Sequence, residues 1–172
     1  MRKYQKNQVT ASAANEDHAM QYALFVLGFR QRTEKEMRQR LEGKGYTPEV
    51  TDRTLATLTR IGLLDDREFT RCWITSRTGR GRTRIKQELQ QKGIDRDLAE
   101  EMIRTGISAD EEFISALDVA KRAVRTMPMP LERANLVRLQ RLLQRRGFSF
   151  DIINRVCAGL SDYLSAEGDW LE

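Results

Sequence analysis

The amino-acid sequence predicts an all-α protein, built as three tandem three-helix repeats stacked into an elongated, curved solenoid. Three observations predict it. Strong helix formers (Leu, Arg, Glu, Gln, Ala, Lys, Met) dominate the 172 residues, with 3 Pro and only short β-branched runs. A basic-glycine motif recurs three times. Apolar residues around each copy recur at helical spacing, and neighbouring repeats joined by short connections should stack.

The motif reads Leu41-x-x-Lys44-Gly45-Tyr46-Thr47-x-x-Val50, then Leu89-x-x-Lys92-Gly93-Ile94-Asp95-x-x-Leu98, then Leu143-x-Arg145-Arg146-Gly147-Phe148-Ser149-x-x-Ile152. Each position has a mechanical reason. The first apolar residue closes a helix, and Met37, Ile85 and Leu139 lie four residues earlier on the same face. The basic residue complements the helix dipole in the last turn. Glycine adopts the left-handed conformation that ends the helix. The next apolar residue folds back on the core. Thr47, Asp95 and Ser149 then cap the following helix, with Pro48 suited to its first turn. Each copy therefore encodes helix, glycine turn, helix.

A further helix precedes each pair. Its buried stripe is predicted from Ala19, Tyr22, Ala23, Val26 and Leu27 in the first copy. Phe69, Cys72, Trp73 and Ser76 give the stripe in the second, and Phe113, Ala116, Leu117, Ala120 and Val124 in the third. The last helix of each copy carries apolar groups five, ten and often thirteen residues after the glycine: Val50, Leu55 and Leu58; Leu98 and Ile103; Ile152, Cys157 and Leu160. Gly62 and Gly106 mark helix ends. The expected organisation is a disordered segment over residues 1–14, repeats over 15–64, 65–108 and 109–164, and an acidic tail over 165–172 that contains Trp170.

Several classes of chemistry find no support. His18 is the one histidine, and no nucleophile, base and orienting group accompany it. Cys72 and Cys157 lie within apolar patterns and read as small buried hydrophobes, without metal spacing. Asp65-Asp66 and Asp110-Glu111-Glu112 sit where helix starts favour negative charge. Gly79-Arg80-Gly81 lacks the spacing of a nucleotide-binding loop. The expectation is no catalytic site, no cofactor and no metal. No leader or membrane-span pattern occurs, so a cytoplasmic, soluble monomer is expected.

A formal net charge of +5 suits nucleic acid or an acidic protein surface as partner, and equally fits a solvated basic face. Two segments concentrate it. Arg77, Arg80, Arg82, Arg84, Lys86 and Lys92 stand against one acid, Glu88. Gly79 and Gly81 should let backbone approach a partner. A helix starting near Arg82 would present free N–H groups beside arginines, suiting a phosphate or carboxylate. The second group has Arg138, Arg141 and Arg145 on one helix face, with Arg146 beside them.

These motifs resemble the RecX family, regulators of the RecA recombinase. Gly62-Leu63-Leu64-Asp65-Asp66-x-x-Phe69, followed by Arg77, Gly81, Arg84-Ile85-x-x-Glu88-Leu89-x-x-Lys92-Gly93-Ile94, is similar to the family's central repeat. Arg145-Arg146-Gly147-Phe148-Ser149 with Ile152 resembles its third repeat, and Arg32-Thr33-Glu34-x-Glu36-Met37-x-x-Arg40-Leu41 its first. Two departures stand out. Thr70 occupies a usual Ala position, and Arg82 follows Gly81 where Pro is usual.

The resemblance implies a non-catalytic regulator that binds RecA filaments on single-stranded DNA. Such a regulator mainly inhibits them, in homologous recombination, DNA repair and the SOS response, with weak direct DNA binding besides. Charge alone leaves two rivals: a stand-alone nucleic-acid-binding protein and a scaffold for another acidic protein.

Overall fold

A computed structural model describes residues 2–127 and 133–168, with side chains over 15–127 and 133–160. Nine helices form among them, in three sets of three. The first set is α1 (Arg2–Leu27), α2 (Glu34–Gly43) and α3 (Pro48–Arg60); the second is α4 (Asp66–Ser76), α5 (Arg82–Lys92) and α6 (Arg96–Gly106); the third is α7 (Ala109–Val124), α8 (Arg133–Arg145) and α9 (Phe150–Gly168). The chain forms two compact units. One comprises Met1–Thr70 and Gln91–Asp95, the other Arg71–Gln90 and Arg96–Glu172.

Local chemistry sets the helix ends. Gly45, Gly93 and Gly147 adopt φ of 97°, 90° and 84°, the left-handed turn expected of all three motif copies. In the outer copies the residue after the glycine donates back over the turn, Tyr46 N to Leu41 O and Phe148 N to Leu143 O at 3.2 Å each. Thr47 and Ser149 cap α3 and α9, accepting from Val50 N and Ile152 N. Asp65 caps α4, accepting from the amides of Arg67 and Glu68. A capping box between Ser108 and Glu111, in which each side chain accepts from the other's amide, opens α7.

In the first unit α1, α2 and α3 pack around Ala19, Ala23, Val26, Met37, Leu41, Leu55 and Leu58. In the second, α7, α8 and α9 enclose Ala116, Val119, Ala120, Leu139, Leu143 and Val156. Leu41, Leu89 and Leu143 of the motif, with Met37, Ile85 and Leu139 one turn earlier, are among the largest fully buried side chains.

Helix α1 begins at Arg2, in a stretch with no glycine or proline to interrupt it. One expectation needs correction: on α4 the buried face is rotated. Phe69, Thr70 and Ile74 are buried, Trp73 is half-buried, and Cys72 and Ser76 are exposed. Thr70 makes that face tolerable, because its hydroxyl donates to Asp66 O at 2.6 Å. Helix α9 runs to Gly168. Trp170 lies outside the described residues.

Candidate binding surface

The central basic segment resolves into two parts with different roles. In the first, Glu88 gathers three guanidiniums. Arg77 Nε donates to its Oε2 at 3.1 Å, Arg84 Nε to its Oε1 at 3.2 Å, and Arg80 Nη1 stands 3.6 Å away. Arg77 also lies over the Trp73 ring, 3.7 Å from its centroid. The Glu88 side chain is only 12% exposed, whereas the three arginines keep 32–41% exposure. One sunken carboxylate therefore orients three half-exposed cations, and most of their positive charge remains unneutralised. Guanidinium groups held this way are prepared for planar anions.

In the second part, the glycine loop before α5 docks on the third repeat's own turn. Gly81 N donates to Arg146 O at 2.9 Å, and Thr83 N to Gly147 O at 3.3 Å. Arg146 Nη1 reaches back to Gly79 O at 3.2 Å, and Gly79 N donates to Ser115 Oγ. Arg82 N donates to Glu112 Oε1 at 3.0 Å, while Arg82 Nε lies 3.1 Å from Glu112 Oε2. The free amides expected at the start of α5 are thus taken, and the carboxylate they meet is internal. Glu112, expected to serve the α7 start, is buried against Arg82. A proline at position 82 could not donate this amide bond. The glycines admit the protein's own backbone: a Cβ on Gly81 would overlap the Gly147 carbonyl, and one on Gly147 would overlap Arg84.

The first unit holds the same kind of joint. The start of α2 meets the turn at Lys92 and Gly93. Thr33 Oγ1 donates to Lys92 O at 2.6 Å, and Lys92 Nζ to Glu36 Oε1 at 2.6 Å. In both joints the carbonyl of the motif's basic residue accepts from the cap position of a preceding repeat, and its side chain reaches back. The repeated basic residue is therefore a fastener as well as a dipole partner. Lys44, in the first copy, instead stands over the Tyr22 ring.

The remaining basic residues divide. Lys86 pairs with Glu100, which also accepts from Arg96 Nε at 3.0 Å. Arg138, Arg141 and Arg145 are exposed on α8. Arg138 and Arg145 line a cleft of about 200 Å³ with Ala123, Thr126, Met127 and Leu142. Sequence reasoning missed the hub role of Glu88, for which a lone acid among six bases was the available signal. It also missed a first-repeat cleft of about 270 Å³ lined by Arg30, Arg32, Glu36, Gln39 and Arg40. There Arg30 forks onto Glu36, with contacts of 2.8 and 3.2 Å. Burial pushes the Glu36 carboxyl up, but the hydrogen bonds from Arg30 and Lys92 outweigh it and hold the group below the usual carboxylate range.

No group of His, Cys, Asp and Glu able to hold a metal occurs among the described residues. Nor is any described helix long and apolar enough to cross a membrane.

These features define a helical-repeat protein of three-helix sets, in which each compact unit holds a joint between a helix start and a basic-glycine turn and carries organised arginine clusters. Models of the first, second and third three-helix domains of RecX match residues 19–58, 65–103 and 110–157. The chain belongs to the RecX family. It is 32% identical over 164 residues to the regulatory protein RecX of Mycobacterium ulcerans (strain Agy99), covering 93% of this chain and 92% of that relative. The regulatory protein RecX of Halorhodospira halophila (strain DSM 244 / SL1) is 29% identical, covering 81% and 86%. The crystal structure of RecX from Lactobacillus salivarius shares the fold, with a TM-score of 0.80 at 21% identity over 87% of this chain and 98% of that one. The role that family membership supports is regulatory.

Proposed function

We propose that this chain is a non-enzymatic, cytoplasmic regulator that binds RecA-type filaments on single-stranded DNA and mainly inhibits them. The observation that carries the reading is the Glu88 hub. It holds Arg77, Arg80 and Arg84 in fixed, half-exposed positions where acidic side chains or DNA phosphates of a filament could pair with them. Arg138, Arg141 and Arg145 supply a second contact region, and Lys86 and Lys92 add charge. Arg82 and Arg146 act chiefly by closing the joint, so their loss would disturb the fold before it disturbed binding.

The test is DNA strand exchange by the host recombinase with the chain well below stoichiometric amounts. Inhibition is expected, and the Arg77→Ala/Arg80→Ala/Arg84→Ala variant should lose most of it while keeping its helical circular dichroism. Full strand exchange with the unaltered chain in excess would reject the reading. Unchanged inhibition by the variant would reject the assignment of the hub.

A further inference from the structure

The first-repeat cleft has features that the joint beside it does not explain. Arg30, Arg32 and Arg40 line it together with a single carboxylate, Glu36. Glu36 is already engaged by Arg30 and by Lys92. Among the described residues, neither Arg32 nor Arg40 makes an ion pair, and the buried Arg32 Nε has no hydrogen-bond partner. A buried guanidinium N–H without an acceptor is costly, which favours an acceptor arriving from outside. Burial and the neighbouring charges of Arg30 and Arg40 push the Arg32 guanidinium down, the electrostatic signature of a cationic cluster short of anions.

Immediately before Arg30 the chain exposes an aromatic pair. Phe25 and Phe29 are 65% and 70% exposed, and their rings meet edge to face at 4.9 Å between centroids. We propose that the cleft of Arg30, Arg32 and Arg40 binds the phosphodiester backbone of single-stranded nucleic acid, with a neighbouring base against Phe29. Guanidinium forks suit phosphate oxygens, and unstacked bases gain by contact with exposed aromatic rings. A duplex keeps its bases stacked on one another and would leave Phe29 unused. An acidic peptide would bring carboxylates without a planar group for the ring.

The experiment is fluorescence anisotropy of a short labelled oligothymidine with the full chain, over a range of salt concentrations. It contains no recombinase, so its failure would leave the filament reading intact. The Arg32→Gln/Arg40→Gln variant should bind more weakly, and its slope of log affinity against log salt should fall by about 1.4, at about 0.7 for each phosphate contact on a single strand. Phe29→Ala should weaken binding about tenfold with the slope kept, as loss of a stacking contact does. If the double variant melts early, Arg40→Gln alone, at an exposed position on α2, should still lower the slope by about 0.7. An unchanged slope in either arginine variant overturns the proposal. So does equal, Phe29-independent binding of a duplex, or polyglutamate binding that the arginine substitutions weaken while oligothymidine binding stays the same.

Discussion

Gly81 packs against the backbone carbonyl of Gly147, with no room for a side chain, and Gly147 in turn packs as tightly against the backbone of Arg84. The amides of Gly81 and Thr83 complete the contact by donating to Arg146 O and Gly147 O. Gly81→Ala should therefore force the two segments apart and destabilise the protein by roughly 1–3 kcal/mol, the usual cost of overpacking. Gly159 is the control. It lies within α9 with open space around it, and Gly159→Ala should stabilise by about 0.5–1 kcal/mol through helix propensity. Thermal or urea unfolding of the two variants would show shifts of opposite sign. Equal shifts would refute the close-approach account.

The pair of Arg82 and Glu112 holds the same joint by charge. Glu112→Gln keeps the size but removes the charge, and should cost about 1.5–3 kcal/mol, the range for hydrogen bonds to charged groups. Because Arg82 is still 36% exposed, water offsets part of the loss. In a double-mutant cycle with Arg82→Gln, the two losses should fall well short of adding. Simple additivity would mean that the two side chains do not act together.

Glu36 ties acid stability to the first joint. Its folded carboxyl lies below its usual range, because the bonds from Arg30 and Lys92 outweigh the effect of burial. Such a group stabilises fully above the unfolded pKa of about 4.3 and loses its contribution as pH falls through the lower folded value. The parent and Glu36→Gln should therefore differ in unfolding free energy near neutral pH, by on the order of 1 kcal/mol. The difference should shrink steadily as the solution is acidified below that range. A constant difference down to strong acid would exclude the linkage.

The cysteines should separate by reactivity. Cys72 is exposed on α4, whereas Cys157 is partly buried, and burial pushes its thiol up against a smaller opposing effect of Gln140. A thiol reagent at mildly alkaline pH should modify Cys72 first, with Cys157 lagging until the protein unfolds. Mass spectrometry of partly labelled protein checks the order. Preferential labelling of Cys157 would contradict the rotated face of α4.

The helices, the glycine turns and the buried positions Met37, Leu41, Ile85, Leu89, Leu139 and Leu143 were legible along the chain, because helical spacing, caps and left-handed turns are local interactions. The face of α4 was misread. Its periodicity permits Cys72 or Thr70 to point inward, and only packing chooses between them. The roles of Arg82, Glu112 and Gly81 were equally hidden, since the partners that define them lie 25 or more residues away. A run of basic residues looks uniform as text. Whether each cation meets water, a buried carboxylate or a carbonyl depends on distant backbone brought close by folding, and that placement separated the Glu88 hub from the residues that lock the repeats together.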